Sequence, residues 1–207
     1  GGLLRLGIPD FKLEKNIVQR RVDQMQQEGV KFVTNTNVGK NFPTKKLLAE
    51  YDAICLTGGS THPRDLPIPG RDLSGVHFAM EYLTQQNRIN AGHSISSKNL
   101  ITAKDKNVII LGGGDTGADC LGTAHRQGAK EVYQLELLPE PPQERVDANP
   151  WPQWPMILRS SPAHEEGGVR DYNILTKKFS GMSTVKKLHG MKIEWAQQNQ
   201  GRPTFQE

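Results

Sequence analysis

Residues 108 to 117 read VIILGGGDTG, an apolar run that ends in a glycine turn. Gly112, Gly114 and Gly117 stand in G-x-G-x-x-G spacing, directly after the strand-like Val108 to Leu111 and directly before ADCLGTAHRQ, whose apolar periodicity predicts a helix. Each glycine has a mechanical reason: the first permits the tight turn, the second lets a pyrophosphate approach the backbone, and the third lets helix and strand pack closely. Gly113 completes the turn. The helix N-terminus around Asp115 and Thr116 offers unpaired N–H groups and a positive dipole end, which suit an anion without any lysine. No Gly-Lys-Ser/Thr follows, which excludes a P-loop.

Outward from the turn, GAK at 128 to 130 stops the helix and EVYQLEL, 131 to 137, reads as a second strand. Strand, glycine turn, helix, glycine stop and strand form a βαβ unit. The expected fold class is therefore α/β, with a Rossmann-like NAD(P)-binding domain built on a parallel sheet covered on both faces. Glu136 lies near the end of the second strand, about twenty residues beyond the turn, where an acid accepts hydrogen bonds from the adenosine ribose hydroxyls. A surface glutamate without a partner is the alternative reading.

Before the turn, apolar residues Leu13, Ile17, Val18, Val22 and Met25 predict an amphipathic helix over Leu13 to Gln27, stopped by Gly29. Val30 to Thr34 reads as a strand, Thr44 to Glu50 as a short helix, and Ala53 to Thr57 as a buried strand entering a tight turn at Gly58 and Gly59. HPRDLPIPG, 62 to 70, looks like a connector, with a domain boundary near 75. A helix around Phe78 to Gln86 and a polar loop from Asn87 to Asp105 lead into the fingerprint strand. After it, LLPEPPQERVDANPWPQWP is too proline-rich for regular structure and reads as an ordered loop anchored by Trp151 and Trp154. Asn173 to Phe179 and Val185 to Trp195, around SGMST, predict an antiparallel meander.

Composition removes several classes of function. The longest apolar runs fall far short of the roughly 20 residues of a membrane span, and the N-terminus has no secretory leader pattern, so a cytoplasmic setting without membrane attachment is expected. Cys55 and Cys120 are isolated and read as packing residues, and the six histidines form no ligand cluster, so no metal and no iron–sulfur cluster are expected on this chain. A net charge of +4 is spread among acids rather than gathered in a stripe, which argues against a nucleic-acid partner.

GGLLRLGIPDFKLEK, the TGG turn with HPRDLPIPG, VIILGGGDTGADCLGTAHRQGAK, and ELLPEPPQER with NPWPQWP together resemble the NAD(P)H-dependent glutamate synthase small (beta) subunit family. The resemblance covers nearly the whole chain. It implies a flavoprotein of the two-dinucleotide-binding-domain type that takes hydride from NAD(P)H onto FAD and passes electrons to a glutamate-forming large (alpha) subunit. Carried over by position, Gly1, Gly2 and Leu3 match the segment that approaches the flavin, Thr57, Gly58 and Gly59 the turn that closes the FAD domain, and Gly112 to Gly117 the NAD(P)H pyrophosphate turn. Leu6 departs from a common tyrosine, and LTGGS from the more usual ATGA.

The resemblance further implies a fragment. Residues 1–75 match part of the FAD-binding domain and 76–207 the NAD(P)H-binding domain, truncated before its last strand. The FAD fingerprint and cluster cysteines would precede residue 1, which implies little or no flavin retention here. No catalytic residue is expected, because nicotinamide and flavin supply the hydride chemistry. In NADPH-using relatives the end of the second strand resembles a tyrosine followed by two arginines. Leu137 and Leu138 fall on those arginines and Glu136 adds negative charge, so NADH is favoured, with Arg145 as a compensating cation. A non-catalytic dinucleotide-binding module would show the same fingerprint, but GGLLRLGIP and TGGS argue against it. The electron-entry domain of a related flavoprotein such as dihydropyrimidine dehydrogenase is a further alternative, against which NPWPQWP speaks.

Overall fold

The computed structural model describes residues 1–196 and 204–206. Its centre is a three-stranded parallel sheet in the order β1 (Asn107–Leu111), β2 (Glu131–Leu135) and β3 (Val169–Asp171). Val108 faces Val132 and Leu111 faces Leu135 across the first pair. Helix α5 (Asp115–Arg126) links β1 to β2, as a parallel pair requires of its crossover. It ends where Gly128 takes φ 80, a left-handed conformation that costs glycine little. Ala129 N–H then donates back to the Ala124 carbonyl at 3.1 Å. The α/β class with a βαβ unit is thus observed.

The core gathers on α5. Leu121 and Ala124 are fully buried and pack with Ile110, Val132, Leu83, Ala103, Cys120 and Ala163. Leu83 and the partly buried Ala79 and Tyr82 come from α4 (Ala79–Asn90), and Ala163 from α6 (Pro162–Glu165). Burial pushes the Cys120 thiol up to about 12, so this cysteine is an inert packing group. Phe11 reaches the same cluster from the N-terminal side. A Cβ on Gly122 would stand 2.6 Å from its ring, so the glycine makes room for the phenyl group. Arg126 covers the other side of that ring at 3.7 Å and forks onto Glu166.

The N-terminal segment is tied to this core. Helix α1 (Gly2–Leu6) packs on α4 and on α2 (Lys15–Gln27). Asn87 Nδ2 donates to the Gly7 carbonyl at 3.1 Å, and Lys12 pairs with Asp119 of α5 at 2.6 Å. The connector is tied as well: Phe179 N–H donates to the Pro69 carbonyl, and Ser74 and Val185 pair through their backbones. Phe179 and Val185 belong to the antiparallel hairpin β4 (Ile174–Gly181) and β5 (Val185–Lys192). A second antiparallel pair, β6 (Glu194–Ala196) with β7 (Thr204–Gln206), follows. The antiparallel meander is present as expected, although part of its C-terminal end lies outside the described residues.

Several sequence expectations are corrected. Val30 to Thr34 and Ala53 to Thr57 form no strand; between them only α3 (Thr44–Glu50) is regular. Val33 is 73% exposed and Leu56 90% exposed. Their side-chain pattern suits a strand, but a strand needs a neighbour for its N–H and C=O groups, and neither stretch pairs with one among the described residues. For the same reason Cys55 is exposed rather than a packing residue. The proline-rich loop is ordered, yet not by its tryptophans, since Trp151 is 81% and Trp154 75% exposed. Polar groups hold it instead. Arg145 Nη1 donates to the Asn149 and Gln153 carbonyls, and buried Asn149 accepts from Met156 N–H at 2.8 Å. Helix α4 also runs further than the sequence indicates, to Asn90.

Candidate dinucleotide-binding site

The C-terminal ends of β1 and β2 and the N-terminus of α5 meet at the glycine turn. Gly112 leaves β1 with φ 114, a conformation only glycine adopts without strain. Its N–H donates to the Leu135 carbonyl at 2.9 Å, carrying the sheet ladder one step into the turn. Gly114 is the N-cap of α5, with φ −80 and ψ −177. It has no side chain to cap the helix, and the helical ladder starts from Ala118 N–H to the Gly114 carbonyl at 3.1 Å. The N–H groups of Asp115, Thr116 and Gly117 therefore stay free of that ladder and point out of the helix end, as an anion site requires.

Gly112 and Gly114 stand in open space, whereas Gly117 is crowded. A Cβ on Gly114 would meet nothing within 4 Å, so the backbone here is open to a ligand. A Cβ on Gly117 would lie closer than 3.0 Å to both the Gly112 carbonyl oxygen and Gln134 Nε2. Gly117 thus serves more than helix and strand packing, because its missing side chain is the space in which the Gln134 amide reaches the Gly112 carbonyl, 2.8 Å away. Gln134 is buried on β2 and receives a hydrogen bond from His164. Neither Gln134 nor His164 stands in a motif of the sequence. One signal was present, an amide at an inward position of EVYQL.

Glu136 sits beside the turn. Its Oε2 accepts from Gly113 N–H and its Oε1 from Leu138 N–H at 3.0 Å. Its own backbone is held on both sides, donating to the Asp171 carbonyl and accepting from Ile174 N–H. The carboxylate is fixed at the carboxyl end of β2, and it is not the unpartnered surface acid of the alternative reading. Arg145 is committed to its own loop.

Leu3 lies in α1, and its carbonyl accepts from Gly7 and Ile8 N–H. Gly2 begins the same helix with φ 55. Thr57, Gly58 and Gly59 lie in an exposed stretch without regular structure. No hydrogen bond joins these two segments among the described residues, so the structure assembles the glycine turn with Glu136 but does not bring the flavin-side candidates together. No described helix is long and apolar enough to cross a membrane.

Similarity to known proteins bears on the same residues. The chain is 53% identical over 184 residues to a protein of Mycobacterium tuberculosis named glutamate synthase [NADPH] small chain, a match covering 87% of this chain and 38% of that one. It is 48% identical over 212 residues to glutamate synthase [NADH] of Schizosaccharomyces pombe, covering 98% of this chain and 10% of that one. The chain thus spans well under half of either relative. Among solved structures, Mycobacterium tuberculosis FprA in complex with NADPH shares the fold, with TM-score 0.68 at 16% identity over 99% of this chain and 57% of that one. The family model for pyridine nucleotide-disulphide oxidoreductases matches residues 13–149, a span containing the whole glycine turn, Glu136 and α5, and the chain belongs to that family.

Proposed function

We propose that this chain is the pyridine-nucleotide-binding part of an NAD(P)H-dependent glutamate synthase, within which hydride passes from NAD(P)H to FAD in support of glutamate formation from glutamine and 2-oxoglutarate. The observation that carries this reading is the 48% identity to a glutamate synthase over 98% of the chain. Its partner is then the glutamate synthase large subunit or domain, in a cytoplasmic enzyme. The nicotinamide supplies the hydride when bound; the protein's part is to bind, orient and neutralise. The free N–H groups of Asp115, Thr116 and Gly117, at the positive end of α5, hold the pyrophosphate. Gly114 lets it approach. Glu136 takes the ribose hydroxyls. Residues 1–75 belong to the flavin domain and 76–207 to the nucleotide domain, with Gly2, Leu3, Thr57, Gly58 and Gly59 on the flavin side.

The described residues hold one glycine-rich strand-turn-helix, so this chain binds a pyridine dinucleotide without reductase turnover. Purified chain with added FAD and a dye acceptor is expected to show dinucleotide binding and no sustained NADH oxidation. Robust turnover with one bound flavin per chain would overturn this division of labour.

NADH is the favoured partner. Two guanidinium donors are missing at Leu137 and Leu138, Arg145 is held by two loop carbonyls, and Glu136 stands fixed where a 2′-phosphate would bring negative charge. A charge-assisted hydrogen bond to phosphate contributes about 1.5 to 3 kcal/mol, so losing two shifts preference roughly a hundredfold or more. Separate titrations of NADH and NADPH decide it, and tighter NADPH binding would show that another cation serves the phosphate.

A further inference from the structure

Beneath the glycine turn runs a chain of polar side chains drawn from three elements. Arg170 of β3 donates from Nη1 to His164 Nδ1 at 3.1 Å, and Ser161 N–H reaches the same nitrogen at 3.1 Å. Two donors on Nδ1 make it an acceptor, so the proton of the neutral ring sits on Nε2. Nε2 then donates to Gln134 Oε1 at 2.9 Å. That bond fixes which end of the Gln134 amide faces the turn, and Gln134 Nε2 donates to the Gly112 carbonyl at 2.8 Å. The Ser161 hydroxyl stands 3.4 Å from the same Nδ1.

We propose that His164 is a positioning residue for dinucleotide binding, fixing the Gly112 carbonyl through Gln134, and that it does so only as the neutral imidazole. The inference rests on the nucleotide reading of the turn. An imidazolium would keep its Nε2–H on Gln134 Oε1, but its Nδ1–H would face the Arg170 guanidinium and Ser161 N–H, with the Ser161 hydroxyl, 3.4 Å away, as its acceptor. The surrounding charges are consistent with the neutral form. Arg170 faces the ring from β3, and Lys12, paired with Asp119 of α5, adds positive charge from the N-terminal side. On the helix of His164 itself, Glu166 is taken by Arg126 and Glu165 is exposed. His125 of α5 is the other titratable ring nearby, against Gly167 and Gly168. Burial, then the charges of Arg170 and Lys12, hold His164 below its ordinary value of 6.5. The ring is therefore neutral at and above pH 7, and protonation in acid sets an imidazolium against the Arg170 guanidinium, so that the ring shifts, carries its Nε2–H away from Gln134 and loosens the turn.

Calorimetric titration of NAD⁺, which is stable in acid, into wild type, His164→Gln and His164→Leu at pH 8 and pH 5.5 tests this. A glutamine keeps a donor towards Gln134 but does not titrate. At pH 8 wild type and His164→Gln are expected to bind within about threefold of each other, and His164→Leu about tenfold more weakly, the scale of one lost hydrogen bond. At pH 5.5 wild type is expected to weaken several-fold relative to pH 8, by less than about tenfold because the ring titrates below its ordinary value, and His164→Gln not to. Should His164→Leu fail to fold, as judged by its thermal melt, the pair of wild type and His164→Gln still decides. An equal pH dependence in those two, or full affinity in folded His164→Leu at pH 8, overturns the proposal. Absence of NAD⁺ binding by wild type at pH 8 instead overturns the nucleotide reading and the proposal with it.

Discussion

Gly117→Ala is expected to lower folding stability by about 3 kcal/mol, a fall of roughly 10 °C in Tm for a chain of this size. Alanine is the better helix former, by about 1 kcal/mol, so an exposed glycine at this point of α5 would gain from the change. Here the added methyl meets the Gly112 carbonyl and the Gln134 amide closer than 3.0 Å. One of those is backbone and cannot swing aside. Either the turn shifts or Gln134 is expelled, and a buried amide then loses its acceptor at a further cost of about 1 to 3 kcal/mol. Urea or thermal denaturation of the variant beside wild type measures the loss. An unchanged or raised midpoint would mean that the turn relaxes freely.

Gly114→Val is expected to do the reverse, leaving the fold intact and weakening dinucleotide binding at least a hundredfold. The φ and ψ of Gly114 lie in the extended region open to valine, and a Cβ there meets no atom within 4 Å. The branched side chain instead occupies the space through which a pyrophosphate must pass to reach the N–H groups of Asp115, Thr116 and Gly117. Losing two charge-assisted hydrogen bonds of about 1.5 kcal/mol each gives the hundredfold figure. Circular dichroism and NADH calorimetry on the same preparation check both halves. Wild-type affinity in the folded variant would make the turn purely structural.

The two glycines share a motif but not a job, and this marks how far the sequence could be read. Local signals were sufficient where structure is local. The helix over Thr44–Glu50 is found at the residues its sequence indicates, and the strand, turn, helix and strand around 107 to 135 follow from apolar spacing and glycine chemistry. Reading failed where an element depends on a distant partner. Val30 to Thr34 and Ala53 to Thr57 have strand composition, but composition supplies no neighbouring strand. Trp151 and Trp154 have the bulk to anchor a loop, yet Arg145 and Asn149 do so with hydrogen bonds that no hydrophobicity pattern encodes. At the site, the turn and Glu136 were legible because their spacing follows from geometry. Gln134 and His164 were not, because their meeting depends on how α6 is placed after a long irregular loop.

The polar chain under the turn also sets an order of assembly during synthesis. The fingerprint strand, its helix and the second strand can form early, but Gly168, where an added Cβ would crowd Leu121 and His125, the buried Ala163 and the guanidinium of Arg170 are translated later. Phe11 is made long before its place beside Gly122 exists. A nascent chain leaving the ribosome therefore carries an apolar phenyl group and a half-covered α5 until the polypeptide has been extended past residue 170. Exposed apolar surface of this kind is aggregation-prone until distant parts of the chain arrive to cover it.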